Sequence, residues 1–356
     1  GAFQEGTGYV QTTTRNGWRW HTSRGYLRGP AKRNVDLKLR AMVQRLEISE
    51  GRVTGVAWKG PDGRKSARAR REVILCGGAF NSPQLLQLSG IGPGAELQRN
   101  GIEVHHDLPG VGENLQDHFG IGAEYRSRLA TTVNDLYNNK LKGGWELLRF
   151  LLLRRGPFAD NGNYSNTFIR SGPDIDRPDM MVTFMAWCTD EQLKPRPFSG
   201  FTILAEHMRP NSRGHVRLTG PRPTDKPEIQ FNFFADEADR RAAIAGLKFG
   251  RKIARTEPMA GAIAHELTPG PAVESDAELE AYCRSNGLSL LHAVGTCKMG
   301  TGPEAVVDPR LRVQGIAGLR VVDASIMPRI VTGNTNAASI MIGEKGAAMI
   351  AEDARN

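Results

Sequence analysis

Hydrophobic and polar positions alternate with a period of two between residues 35 and 58. The runs "VDLKLRAMVQRLEI" and "GRVTGVAWKG" show this alternation, and Glu50-Gly51 separates them as a turn. The pattern predicts antiparallel strands joined by a tight hairpin. The basic run "GRKSARARR" at 63–71 lies between a second turn and the apolar run "EVILC", and we interpret it as a solvated hairpin arm.

A short apolar run, a glycine pair and a helical pattern follow one another within residues 71–90. "VILC" predicts a buried strand, glycines 77–78 predict a turn, and "QLLQLSG" predicts a helix. Ser82 has the side chain of an N-cap, and Pro83 suits a first helical turn. Gly90 is a typical residue to close the helix. The segment therefore predicts strand, glycine turn and helix in that order.

The residue pattern changes in the middle of the chain, and helical periodicity follows after it. Residues 121–235 contain prolines, irregular loops and strand-like pieces such as "MMVTFMAW" and "GFTILAEHM", which predict a β-rich region. Helical periodicity marks 236–256 and 275–285, and Ser275 with Glu278 forms a capping box. Near the end, "GLRVVDASIMP" predicts a strand, and a small-residue helix follows from about Asn336.

Composition is that of a globular protein. The chain has 356 residues, with 39% hydrophobic and 24% charged residues. At about 150 residues per domain, this length indicates about two domains. The most apolar run, at 145–155, is shorter than the ~20 residues of a membrane span and contains Arg149. It predicts a buried or interfacial helix.

The net charge and the cysteine spacing limit the classes of partner, the metal sites and the location that the sequence predicts. The net charge of +9 is compatible with nucleic acid or a membrane surface, but the arginines are dispersed, and we expect no nucleic-acid binding. The four cysteines show no paired or metal-ligand spacing, so we expect no metal site. Isolated thiols favour a reducing, cytoplasmic location, with peripheral membrane association left open.

Several long, ordered motifs resemble the glucose–methanol–choline (GMC) oxidoreductases, nearest to the choline-dehydrogenase-like bacterial alcohol dehydrogenases. They are "CGGAFNSPQLLQLSGIGP", "LPGVGENLQDH", "HAVGTCKMG", "VDPRLRVQGIAGLRVVDASIMP" and "GNTNAASIMIGEKGAAMI". The resemblance implies FAD as cofactor and a mixed α/β (α+β) fold. It further implies an incomplete Rossmann-like FAD/NAD(P)-binding domain at 1–120, an antiparallel substrate-binding domain at 121–290, and a return to the FAD-binding domain at 291–356.

The same resemblance assigns two catalytic residues. His292 would be the general base that removes the hydroxyl proton of an alcohol while hydride passes to flavin N5, and a neutral imidazole is suited to this near pH 7. Without the family, a lone histidine before a Gly-Thr turn is more often a buried one satisfied by one hydrogen bond. Asn334 would donate a hydrogen bond to the substrate oxygen, or else serve as a helix cap.

The resemblance also implies a set of cofactor-binding residues. For Asp323 a plain alternative is a strand-end carboxylate that caps the next turn. Asn114 and Asp117 correspond to structural loop residues, and His118 is expected to be packed. The residues expected at FAD are Val43, Gly77, Gly78, Leu291, Asp323, Ala324, Asn334, Thr335 and Asn336.

The sequence departs from the family at its start. We find no strand followed by GxGxxG, because "GTG" at 6–8 has neither a preceding apolar strand nor a third glycine. We therefore expect a C-terminal portion whose partner is the missing N-terminal half, with a small-molecule alcohol as substrate and homo-oligomerisation left open. The alternative is a catalytically silent remnant that acts as a binding module. A smaller departure is Ala293, where the family often has proline.

Overall fold

A computed structural model describes residues 3–29, 33–129 and 132–355. Its helices are α1 (Thr22–Tyr26), α2 (Gly78–Leu88), α3 (Gly94–Arg99), α4 (Val133–Asn138), α5 (Lys140–Leu153), α6 (Glu237–Ala254), α7 (Met259–Ala262), α8 (Asp276–Asn286) and α9 (Thr335–Asp353). Its strands are β1 (Gly6–Tyr9), β2 (Thr14–Arg15), β3 (Trp18–Arg19), β4 (Met42–Ser49), β5 (Arg52–Gly60), β6 (Gly63–Arg68), β7 (Val73–Leu75), β8 (Ile91–Gly92), β9 (His106–Asp107), β10 (Phe119–Ser127), β11 (Asn163–Ile169), β12 (Met180–Met185), β13 (Gly200–His207), β14 (His215–Arg217), β15 (Glu228–Gln230), β16 (Ile263–Thr268), β17 (Leu288–Ser289) and β18 (Leu319–Val321).

The chain divides into two compact units. The sheet unit comprises the described residues of 1–35, 118–209 and 236–290, and the motif unit comprises 36–117, 210–235 and 291–355. This differs from the predicted division in two segments. The N-terminal segment joins the sheet unit because β1 pairs with β11. Residues 210–235 join the motif unit, where the Leu115 and Gly214 backbones form a β-bridge.

The sheet unit is built on a 7-stranded antiparallel sheet. Its order is β1-β11-β12-β13-β10-β16, and β17 pairs with β10. Helix α6 packs against this sheet through Gly246 and Gly250. A side chain at Gly246 would collide with Met180 and Ala205, so the glycine allows the helix to approach closely. The β-rich middle predicted from the sequence is this antiparallel sheet.

The motif unit combines a hairpin sheet with a parallel strand pair. Strands β4, β5 and β6 form an antiparallel three-stranded sheet, and β7 pairs with β18 in parallel. Glu50 and Gly51 both have positive φ, 49° and 71°, as a two-residue hairpin turn requires. Strand β6 is exposed along its length, as expected of the basic arm. The core includes Leu46, Val53, Leu75, Leu86, Ile91, Val294, Val306, Val307, Leu319, Val321 and Ile342.

Two predicted boundaries are wrong for identifiable reasons. Strand β4 begins at Met42, although the alternation begins at residue 35, because Arg40 has a left-handed backbone with φ 53°. Helix α2 begins at Gly78, so Ser82 is not its N-cap and Pro83 lies inside the helix. The proline removes the amide that would bond to the Ala79 carbonyl, and the Thr296 hydroxyl donates to that oxygen at 2.6 Å instead.

The other predicted helices match more closely. Helix α6 occupies most of the predicted 236–256 segment, and α8 carries the predicted capping box between Ser275 and Glu278. Helix α5 begins at Lys140, before the apolar run at 145–155, and Asn139 caps it by accepting from two backbone amides. The mixed α/β fold class is confirmed.

Candidate functional site

The loop that contains His292 is aligned by residues of the "GENLQDH" motif. Gln116 and Val294 exchange backbone hydrogen bonds, with N–O distances of 3.0 and 2.9 Å. The backbone amide of His292 donates to Asp117 Oδ1 at 2.8 Å. Because Asp117 is buried, this hydrogen bond holds the backbone at His292 in one place. Asp117 is thus a positioning residue, in keeping with the structural role expected of it, and His118 is buried.

Two amide side chains connect this loop to the segment that leads into α9. Asn114 Nδ2 donates to the carbonyls of Gly295 and Pro328, at 3.1 and 3.3 Å. Gln116 Nε2 donates to the same Pro328 oxygen at 3.2 Å, and Gln116 Oε1 accepts from the Ile330 amide at 3.2 Å. Gln116 is not among the residues that the sequence singled out. The signal for it was its position in the motif between Asn114 and Asp117. Asn114 and Gln116 form an amide clip between the two halves of the site.

His292 and Asn334 meet at the end of this clip. Their side-chain nitrogens, His292 Nε2 and Asn334 Nδ2, are 3.3 Å apart. Asn334 occupies the N-cap position of α9, but its side chain makes no capping hydrogen bond. The side chain is directed to the imidazole instead, and it leaves the first amides of α9 without a side-chain cap from this residue. The structure therefore brings together the two residues expected to be catalytic.

The surroundings of His292 favour its neutral form. Burial lowers the pKa of His292, because a charged imidazolium loses hydration there. With Asn334 Nδ2 as the donor, His292 Nε2 is the acceptor, which corresponds to the neutral tautomer protonated at Nδ1. Leu291, the preceding residue, is 87% exposed and has φ 62°, a left-handed conformation that is rare for a bulky residue. The strained backbone adjoins the imidazole.

The glycine turn after β7 is tied to the end of β18 by Asp323. Asp323 Oδ2 accepts from the Gly78 amide at 3.0 Å and from the Ser82 hydroxyl at 2.6 Å, while Oδ1 accepts from the Ser325 amide at 2.8 Å. The last bond caps the turn at Ala324–Ile326. Asp323 thus caps the turn that follows its strand, which is the plain alternative stated for it above. The same carboxylate also holds the backbone amide of Gly78 in place.

The residues present fit a large cofactor such as FAD. Gly78 has φ 78°, and a Cβ built on Gly78 or on Gly333 meets no atom within 4 Å, so both backbones face open space. The N-terminus of α9 has no side-chain cap and carries positive partial charge. Val43 is partly exposed on β4, where it pairs with Trp58. Thr335 is buried in the first turn of α9, and Asn336 beside it is exposed.

The described residues offer neither a metal-binding cluster nor a membrane-spanning helix. Among the described residues, no cluster of three or more His, Cys, Asp or Glu side chains could hold a metal ion. Within residues 3–29, 33–129 and 132–355, no helix has both the length and the hydrophobicity required to cross a bilayer.

Comparisons with known proteins cover most of the chain. Residues 2–120 and 210–343 match the N- and C-terminal sequence profiles of the GMC oxidoreductases. An alcohol dehydrogenase [acceptor] from Pseudomonas putida is 39% identical, over 98% of this chain and 64% of that protein. An oxygen-dependent choline dehydrogenase from Staphylococcus xylosus is 36% identical, over 98% of this chain and 62% of that protein. The chain thus spans less than two thirds of the length of these relatives.

A solved structure from the same comparisons has a similar fold. A formate oxidase from Aspergillus oryzae RIB40, studied for its FAD modification, superposes with a TM-score of 0.82 and 28% identity, over 88% of this chain and 60% of that one. The comparisons confirm the predicted resemblance to the GMC oxidoreductases, the mixed α/β fold and FAD as the cofactor.

Proposed function

Because the chain belongs to the GMC oxidoreductase family, we propose that it forms the catalytic side of an FAD-dependent enzyme that oxidises a primary alcohol. The observation that carries the proposal is the pairing of His292 with Asn334 at 3.3 Å. The substrate class is a choline-like, aliphatic or aromatic primary alcohol, in line with the names of the relatives.

The two side chains have complementary tasks towards a substrate hydroxyl. When bound, FAD would accept the hydride that leaves the carbinol carbon of the substrate. His292 accepts the hydroxyl proton at Nε2, which is available because burial lowers the pKa of the imidazole. Asn334 donates its amide hydrogen to the oxygen as negative charge develops there. A substrate hydroxyl placed between the two side chains satisfies both, since it donates to Nε2 and accepts from Nδ2.

The residues proposed to hold FAD lie in five segments of the motif unit. Gly78 allows close approach of the backbone, whereas the missing side chain of Gly77 makes room for the start of α2 beside it. The uncapped N-terminus of α9 favours negative charge on the bound group. Asp323 positions the glycine turn through its bond to the Gly78 amide. The full proposed set is Val43, Gly77, Gly78, Leu291, Asp323, Ala324, Asn334, Thr335 and Asn336.

Flavin reduction by alcohol under anaerobic conditions tests the assignment. In the FAD-loaded protein, we expect His292→Ala to slow reduction at least ~100-fold, the usual scale for loss of a general base. Asn334→Ala should slow it less, since one hydrogen bond to a developing charge is lost. His265→Ala, at an exposed histidine of β16, is the matched control and should leave the rate unchanged. An unchanged rate in His292→Ala would remove it from its role.

A flavin spectrum separates this function from a silent binding module. The module predicts a folded chain that never acquires flavin absorbance, whether or not the N-terminal segment of the family is supplied as a partner. We also propose a cytoplasmic location, supported by four free cysteines. Homo-oligomerisation stays a prediction.

A further inference from the structure

Helix α5 in the sheet unit presents an apolar stripe to solvent. Leu141, Trp145, Leu148 and Leu152 are 87%, 65%, 47% and 71% exposed. Their spacing of four, three and four residues places them on one face of the helix. A helix of a globular domain ordinarily turns such a face inward, so this arrangement is the reverse of the usual one.

The orientation of α5 is fixed by its opposite face. Phe150 lies about half a turn around the helix from the stripe and is 6% exposed. Its ring packs edge-on against Trp18 with a centroid distance of 5.1 Å, and the Arg154 guanidinium lies over both rings, 4.8 Å from Trp18 and 5.6 Å from Phe150. These contacts hold the apolar stripe outward.

Basic residues flank the stripe, although Arg154 lies on the opposite face over the two aromatic rings. Residues 140–155 contain five Lys or Arg residues and a single acid, Glu146. Glu146 pairs with Arg149 at 3.4 Å, which leaves the segment strongly positive overall. Long cationic side chains beside an apolar stripe can extend their charged ends to anionic headgroups while their methylenes stay in the apolar layer. An exposed tryptophan is also typical of a membrane interface.

The length of α5 decides how it would meet a bilayer. Its 14 residues span about 21 Å, less than the ~30 Å of a hydrocarbon core. The helix therefore suits a position in the plane of the interface, with its stripe inserted among the lipid chains and its cations at the headgroup level.

We propose that α5 is a docking helix for an anionic lipid surface. The occupant is the membrane itself, which the basic residues attract and which the stripe of Leu141, Trp145, Leu148 and Leu152 enters. Every residue that forms this surface belongs to the sheet unit, whereas His292 and Asn334 belong to the motif unit.

Vesicle co-sedimentation tests the proposal directly. The FAD-loaded protein should sediment with phosphatidylcholine vesicles that contain phosphatidylglycerol, and much less with phosphatidylcholine alone. The double variant Leu148→Glu with Leu152→Glu should lower the affinity by about 10-fold or more, because two apolar side chains no longer leave water. The tryptophan emission of the original protein should shift to shorter wavelength on binding, because Trp145 leaves water. Added salt should weaken binding, since screening acts on the cations.

A matched control separates insertion from a general effect of added charge. Leu193→Glu changes a leucine that is 78% exposed in the same unit, and vesicle binding should fall little. Unchanged melting temperatures show that the variants fold. Failure of the original protein to sediment with anionic vesicles overturns the proposal, as does equal binding by the double variant. If the stripe instead joins two copies, sedimentation velocity will show a dimer that the double variant dissociates, and vesicle binding will be absent.

Discussion

His292 reaches Asn334 because buried polar side chains hold the backbone on both sides of the site. Asp117 fixes the amide of His292, and Asn114 with Gln116 joins that loop to the carbonyl of Pro328. None of these groups needs to react, yet a displacement of about 1 Å in such a pair can cost a large part of the rate. At this scale, the residues that position the site differ from the two that we propose to carry the chemistry.

The pH dependence of flavin reduction should report the protonation of His292. Burial lowers the pKa of His292, so the imidazole is neutral above that pKa and loses its ability to accept a proton below it. The rate of flavin reduction by alcohol should therefore fall as the pH decreases, with a midpoint below the ordinary value of 6.5. Stopped-flow reduction over a pH series measures this midpoint.

Asn334→Asp provides the matched comparison for that profile. A carboxylate within 3.3 Å of the imidazole favours the protonated form, so the midpoint should move up by on the order of 1 pH unit. A midpoint above 6.5 in the original protein, or no movement in Asn334→Asp, contradicts the assignment of His292 as the titrating base.

Single elements show how distant residues complete local structure. Helix α2 contains Pro83, and the resulting free carbonyl at Ala79 is satisfied by Thr296 from the His292 loop. The same bond anchors that loop to α2. A local rule against proline inside a helix is thus offset by one hydrogen bond from a residue more than 200 positions away.

Strand β13 contains a buried carboxyl group, Glu206, that behaves differently from a surface acid. The Thr183 hydroxyl lies 2.6 Å from Glu206 Oε1 and 3.0 Å from Asn166 Oδ1, and its single hydrogen cannot serve both acceptors. Burial raises the pKa of Glu206 to about 7, whereas the hydrogen bond from Thr183 lowers it. Below that pKa, protonated Glu206 can donate to Thr183, which then donates to Asn166 and removes the conflict.

Glu206→Gln should therefore stabilise the protein at alkaline pH. The folded pKa lies above the ordinary value of 4.5, so the stability linked to this group is complete below about 4.5 and is lost as the pH rises through about 7. Glutamine keeps a donor and removes the charge. We expect a gain in the free energy of unfolding on the order of 3 kcal/mol at high pH and little change at low pH. Urea titrations at both pH values measure it, and a loss at high pH would contradict the protonated form.

At the scale of the whole molecule, the four cysteines report on burial in both units. Cys76 is exposed, whereas Cys188, Cys283 and Cys297 are buried, and burial raises the pKa of each of these three thiols. Burial raises the pKa of Cys76 as well, so what distinguishes Cys76 is its exposure to a reagent that cannot reach the three buried thiols.

A thiol reagent should accordingly modify Cys76 alone in the native protein and all four cysteines in urea. FAD should slow the modification of Cys76, because this residue directly precedes the glycine turn proposed to approach the cofactor. Mass spectrometry after timed labelling measures both effects. Fast labelling of a buried cysteine contradicts the packing, and labelling of Cys76 that FAD does not change contradicts the proposed position of the turn.

The structure shows where individual positive charges of the chain lie. The net charge of +9 gave no partner by itself, because the arginines are dispersed along the sequence. The fold uses some of them internally, as with Arg320, which is buried and pairs with Glu72 and Asp353. On α5, by contrast, cations flank an exposed apolar stripe. The sequence predicted a buried or interfacial helix there, and it could not choose, since both have the same composition.

The sequence alone determined the features that depend on neighbouring residues. The Glu50-Gly51 hairpin and the Ser275–Glu278 capping box follow from backbone preferences and hydrogen bonds within a few positions, and both appear as predicted. The long motifs were sufficient for the family, and with it for FAD. Only the tertiary structure decided the start of α2, the outward face of α5, and the clip of Asn114 and Gln116. Each of these rests on hydrogen bonds or packing between segments far apart in the chain, and local patterns do not encode which distant group will supply the missing partner.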